Sequence, residues 1–168
     1  MRSPLPSVAL LAACLSLAAC GGRYSVPGSG QPVDFAFRVG EEPSRNLSGL
    51  RGRPLVLVLL RISELTSELY LREVVRAYGR TAGKTRFLVL SIEPTEEVLL
   101  GSYIEFNELP FPIGLAEWSV AAGRSALGTI PVMPTTYFID TSGRVVTVAP
   151  GAVPAAQIEA EIRRRRWL

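Results

Sequence analysis

The sequence predicts an α/β domain with a central mixed β-sheet and helices on both faces. Three observations predict it. A continuous apolar run of strand length occurs at 55–60, and a second run, apolar except for Ser91, at 87–92, the pattern of strands buried on both faces. Between and after them, apolar residues recur at helical spacing. Two further segments rich in β-branched and aromatic residues, 135–140 and 145–148, flank a short polar turn and read as a hairpin. Strands alternating with helices pair in parallel through right-handed crossovers. The closing hairpin then adds an antiparallel edge.

The first 31 residues stand apart from this pattern. Arg2 supplies a positive start, residues 5–17 are an apolar stretch, and Leu17-Ala18-Ala19-Cys20 is a small-residue site. That order is a secretory signal, read here as residues 1–19. The apolar stretch is too short to span a bilayer, which takes about 20 residues. Leu17-Ala18-Ala19-Cys20 resembles the lipobox of bacterial lipoproteins, in which the cysteine is lipidated and becomes the mature N-terminus. Leu11-Ala12-Ala13-Cys14 also matches, but cleavage there leaves a very short apolar region. A plain signal cleaved near Gly21 or Gly22 is the alternative. Gly21, rather than Asp, follows Cys20; by resemblance to lipoprotein sorting rules this points to the outer membrane, with the protein facing the periplasm. Residues 20–31 are rich in Gly, Ser and Pro and read as a flexible tether, leaving 32–168 as one domain.

Within that domain the elements follow in order. Residues 34–37 alternate as a short strand. Residues 41–53 are polar, with Gly49 and Gly52 as turn residues. Residues 55–60 form the first core strand. Leu71, Val74, Val75 and Tyr78 share one face of a helix, which Gly79 can end. Residues 87–92 are the second core strand. Pro94-Thr95-Glu96-Glu97 starts a helix with acidic residues in its first turn, and Val98, Leu99, Tyr103 and Phe106 continue it. Residues 111–113 are a short extended piece, and 118–127 a short helix. Residues 135–140, 141–144 and 145–148 are strand, turn and strand. Pro154 suits the first turn of a last helix, whose apolar face is Ala155, Ile158 and Ile162. Glu159 with Arg163, and Glu161 with Arg165, are i, i+4 pairs in the favoured orientation. Tyr103, Phe106 and Trp118 are expected in the core.

Composition restricts the chemistry. The chain of 168 residues contains no histidine and two cysteines, and both, Cys14 and Cys20, fall in the signal and its cleavage site. The mature body therefore has no thiol, no internal disulfide and no usual general base near neutral pH. Zinc sites and Cys-His or Ser-His nucleophile pairs are excluded, and neither a metal nor a cofactor is expected. The net charge of +3 carries no nucleic-acid footprint.

Four stretches carry a resemblance to the thioredoxin-like superfamily, in its redoxin and TlpA-like thiol-disulfide oxidoreductase branch. They are Asp34-Phe35 with residues 46–54, Ser91 to Glu97, Leu109 to Ile113, and Met133-Pro134-Thr135-Thr136-Tyr137-Phe138-Ile139-Asp140 with the turn that follows. The resemblance implies a thioredoxin-like fold and a cis peptide before Pro134, with Met133, Pro134 and Thr135 as a loop able to meet an extended peptide. It also implies a CxxC pair just after the first core strand. Here Glu64 and Ser67 stand at those positions. A helix N-terminus favours the carboxylate of Glu64 as it would a thiolate, but a carboxylate cannot exchange a disulfide. Ser63 is read as the helix N-cap rather than a nucleophile.

The expectation is thus a non-catalytic binding or scaffold module, anchored to a membrane through Cys20, whose partner is an envelope protein or extended peptide. The alternative is a redoxin-type thiol-disulfide oxidoreductase, or an accessory of a periplasmic redox pathway. Arg163, Arg164, Arg165 and Arg166 with Trp167 and Leu168 either complement a helix C-terminus or touch anionic lipid near the anchor.

Overall fold

The computed structural model describes residues 30–81, 83–93 and 97–168. The signal segment, Cys14, Cys20, most of the tether and Pro94-Thr95-Glu96 lie outside the described residues.

Seven strands form one sheet: β1 (Ala36–Arg38), β2 (Arg45–Asn46), β3 (Leu55–Leu60), β4 (Arg86–Ser91), β5 (Ile113–Ala116), β6 (Thr135–Ile139) and β7 (Val145–Pro150). Their order across the sheet is β2-β1-β5-β4-β3-β6-β7. β3, β4 and β5 run parallel, and β6 pairs antiparallel to β3, Leu55 opposite Ile139 and Leu59 opposite Thr135. The helices are α1 (Leu65–Thr81), α2 (Glu97–Asn107), α3 (Trp118–Ala121) and α4 (Ala155–Arg164).

The pleat of β3 divides the core. Val56, Val58 and Leu60 point to the face covered by α1, α2 and α4, where Tyr70, Val74, Leu100, Ile158 and Ile162 are buried. Leu55, Leu57 and Leu59 point to the other face, under Phe35, Leu47, Val120 and Leu127. This is why β3 is apolar at every position: period two places alternate residues in two different cores. On the first face Tyr78 meets Phe87 and Phe111 edge-on, with centroids 5.3 and 5.4 Å apart, the arrangement that ring quadrupoles favour. Gly114 is required where β5 passes β1, since a Cβ there would sit 2.1 Å from the Arg38 carbonyl oxygen.

Several local expectations need correction. α1 continues through Gly79 to Thr81, because an interior glycine costs only about 1 kcal/mol and both Ala77 and Thr81 are buried. Residues 41–53 are not only turns: β2 pairs with β1, and Leu47–Leu50 is a 3-10 helix that buries Leu47. The extended piece near 111–113 is a full strand, β5, starting at Ile113. The helix expected over 118–127 stops at Ala121, and the chain then turns so that Leu127 can reach the second core. Phe106 and Trp118 are not core residues; they are 88% and 57% exposed. Trp118 instead lies 4.9 Å from the Arg124 guanidinium, a cation–π contact available at the surface. Tyr103 is half-buried against the first core, as expected.

Candidate functional site

Parallel strands deliver their carboxyl ends to one edge of the sheet. At this edge β3 runs out at Leu60 opposite Ser91 of β4, which brings Arg61 beside Glu93. Arg61 Nη1 donates to Glu64 Oε1 at 2.9 Å, and its Nε lies 3.7 Å from Glu93 Oε2. The guanidinium is thus held between two carboxylates. All three side chains are partly open to solvent, 37–43% exposed, so the pairs contribute little to stability.

Glu64 also marks where α1 begins. Its carbonyl accepts the first helical N–H, from Glu68, at 3.1 Å, which places Glu64 at the N-cap position. Ser63 therefore lies in the turn before the cap rather than at it. Ser67 is fully buried one turn on, and its hydroxyl accepts from the Arg61 N–H at 3.4 Å. The positions expected for the redox pair thus hold an exposed carboxylate tied to arginine and a buried hydroxyl tied to backbone.

The opposing wall is the loop before β6. The Met133-Pro134 bond is cis. Pro134 and Thr135 are buried, and the Thr135 hydroxyl donates to the Val132 carbonyl at 2.5 Å. Beneath them Tyr70 of α1 and Thr136 of β6 share a hydroxyl–hydroxyl bond of 2.5 Å. Burial pushes the Tyr70 phenol up to about 12; the Thr136 bond opposes that shift and the Glu73 charge adds to it. Tyr70 is neutral in the fold and acts as a strut between the two walls.

Arg61, Glu64, Ile92, Ile130, Val132 and Met133 line a cleft of about 380 Å³ between α1 and this loop. Of the residues expected at the site, Glu64 and Met133 face the cleft; Ser67, Pro134 and Thr135 support it from below. Sequence reasoning missed Arg61, Glu93 and the wall at Ile130 to Val132. Arg61 had a local signal, its i, i+3 relation to Glu64. Glu93 had none, because its contact depends on the pairing of β3 with β4. Chemically the cleft offers carboxylate acceptors, one guanidinium donor and a backbone loop. It offers no thiol, and no metal-holding group of His, Cys, Asp or Glu occurs among the described residues. A second, more apolar pocket of about 290 Å³, lined by Leu50, Arg53, Tyr78, Arg86 and Phe111, opens where β4 and β5 begin, away from this chemistry.

No protein-family model matches the chain, and no curated protein is similar to it in sequence. Solved structures are similar in fold. A DsbF homologue from Corynebacterium diphtheriae superposes with a TM-score of 0.71 at 14% identity, over 87% of this chain and 96% of that one. The thiol:disulfide interchange protein of Chlorobium tepidum, a thioredoxin family protein, gives 0.63 at 17% identity, over 79% and 93%. The exposed lipoprotein thioredoxin Etrx1 of Streptococcus pneumoniae gives 0.63 at 14%, over 78% and 98%. With the mixed seven-stranded sheet, the helices on both its faces and the cis proline opposite the start of α1, these likenesses establish that the chain has the thioredoxin-like fold.

Proposed function

We propose that this protein is an exported, lipid-anchored binding module that uses the cleft edge of a thioredoxin-like domain without thiol chemistry. The observation that carries the reading is the Arg61 guanidinium lodged between Glu64 and Glu93 at the place where the fold's redox pair is expected. Disulfide exchange needs a thiolate as attacking group; this cleft supplies charge and hydrogen bonds only. The loop at Met133 presents backbone beside the cleft, which suits an extended peptide of an envelope protein paired along its main chain. Export and the anchor at Cys20 rest on the signal pattern and the lipobox resemblance, supported by the similarity to an exposed lipoprotein thioredoxin.

Two measurements test the reading. An insulin-reduction assay of the purified chain should show no turnover above buffer; turnover would restore the oxidoreductase reading. A photo-crosslinker placed at Met133 should capture a discrete envelope protein in living cells, while one at Phe106 should not. Capture of nothing at Met133 would favour a purely structural role. The anchor has its own check: Cys20→Ala should abolish acylation as read by mass spectrometry.

A further inference from the structure

The first described residues meet a group of cations at one end of the sheet. Gly30 is held there by Arg144, whose Nε donates to its carbonyl at 2.9 Å, and Val33 N–H donates to the Gly143 carbonyl at 2.8 Å. The β6–β7 turn that holds them lies beside Leu55, at the start of β3. The cleft lies at the other end of the same strand. The strand is six residues long, roughly 20 Å at the rise of an extended strand. Gly30, the first described residue, thus sits at the end of the domain opposite the cleft.

Cations gather at that end. Arg51 packs over Gly143, and the Gly52 N–H donates to the Thr141 carbonyl at 2.9 Å. Arg53 donates to the Lys84 carbonyl at 3.1 Å. The end of α4 joins them, for the Thr85 hydroxyl donates to the Trp167 carbonyl at 2.7 Å. Arg51, Arg53, Lys84, Arg144 and Arg166 are all exposed, and none has an ion pair among the described residues, though Arg144 lies near Asp140. Glu159 and Glu161, the acidic residues of α4, are already engaged by Arg80, Arg163, Arg164 and Arg165. The apolar pocket between Arg53 and Arg86 opens on the same end. An exposed cationic surface beside an apolar opening, at the end where Gly30 sits, is complementary to anionic headgroups over a hydrocarbon layer.

We propose that this end of the domain docks on an anionic phospholipid surface, which holds the cleft pointing away from the membrane. Proximity to lipid rests on the anchored reading given above; the orientation rests on the placement of Gly30 and the cations.

The two tryptophans make the test internal to the protein. Trp167 lies at the cationic end. Trp118 follows β5 at the cleft end, and the adjoining Ala121 to Gly123 line the cleft. The acylated chain, as Trp118→Phe or Trp167→Phe, is reconstituted in vesicles of phosphatidylcholine with or without phosphatidylglycerol, each carrying a headgroup nitroxide quencher. Trp167 should be quenched when phosphatidylglycerol is present and much less without it, and Trp118 in neither. Combined Arg51→Gln, Arg144→Gln and Arg166→Gln should weaken docking by roughly a hundredfold, at about fivefold per cation; the same three positions as Lys should retain it. Equal quenching of Trp167 in both vesicles, or quenching of Trp118 as strong as that of Trp167, would overturn the proposal. If mass spectrometry finds no acyl group, the anchored reading fails separately. The chain as isolated is then added to the same vesicles, and phosphatidylglycerol-dependent quenching of Trp167 over Trp118 supports or refutes the docking surface by itself.

Discussion

The two ends of β3 use the same residue types to opposite effect. At the cleft end, Arg61 faces inward between Glu64 and Glu93, and all three are open to solvent. At the end where Gly30 sits, the carboxylates are closed by hydrogen bonds while Arg51, Arg53, Arg144 and Arg166 are exposed. Asp140 accepts from the Ser142 hydroxyl and from the Ser142 and Arg144 N–H groups, at 2.6 to 3.0 Å. Glu161 is bound by Arg164, Arg165 and the Thr147 hydroxyl. Burial would raise the pKa of both carboxyls, but these hydrogen bonds and the nearby arginine charges together outweigh it and hold both below their ordinary values. A charge cluster left open to water is available to a partner; one closed by its own hydrogen bonds fixes a shape and leaves its surplus cations on the surface.

The largest expected effect would break the contrast at the cleft end. Glu64→Cys with Ser67→Cys should convert a site without thiols into one that forms an intramolecular disulfide, read by thiol titration, and that reduces insulin. Failure to form the disulfide would mean that Glu64 and Ser67 do not occupy the positions of the redox pair. Next in size is the strut between the walls. Tyr70→Ala should cost about 3–5 kcal/mol of unfolding free energy, as for a large buried side chain, measured in urea. Tyr70→Phe should cost about 1–2 kcal/mol, because Thr136 keeps a buried hydroxyl without its partner.

Acid should act first on the end where Gly30 sits. A carboxyl whose folded pKa is depressed stabilises the fold above its unfolded pKa, and that stabilisation is lost as pH falls through the folded value. For Asp140 and Glu161 the loss should therefore set in as pH falls to their ordinary values of 3.8 and 4.5 and be complete below their lower folded values. Amide protection relative to the intrinsic exchange rate at each pH, compared between pH 6 and pH 3, should fall at the β6–β7 turn and the end of α4 before it does in β3. Loss of protection in β3 first would contradict the contrast. The smallest effects belong to open positions. Glu64→Gln should change stability by less than about 1 kcal/mol, and Phe106→Ser by less than about 0.5 kcal/mol, both by urea denaturation.

Much of the fold was legible in the sequence because its signals are local. The runs at 55–60 and 87–92 fit strands covered on both faces, and Ala155, Ile158 and Ile162 share a helix face at any tertiary placement. Phe106 and Trp118 misled for the same reason. Helical spacing shows that residues share a face, not that another element covers it, and nothing covers Phe106. At the site, Glu64 and Ser67 were found by their distance from a strand. Glu93 and the wall at Ile130 to Val132 come from elsewhere in the chain and have no local mark.

The sequence alone determined that residues 21–168 contain no cysteine and that the chain has no histidine, since composition needs no geometry. It also located the two central strands, β3 and β4, and the helices α1, α2 and α4, because hydrophobic period reports which faces are buried. Only the tertiary structure decided that Arg61 fills the space between Glu64 and Glu93, and that Gly30 sits at the end away from the cleft. Both depend on which strands are neighbours, and strand pairing is a long-range choice that local pattern does not encode.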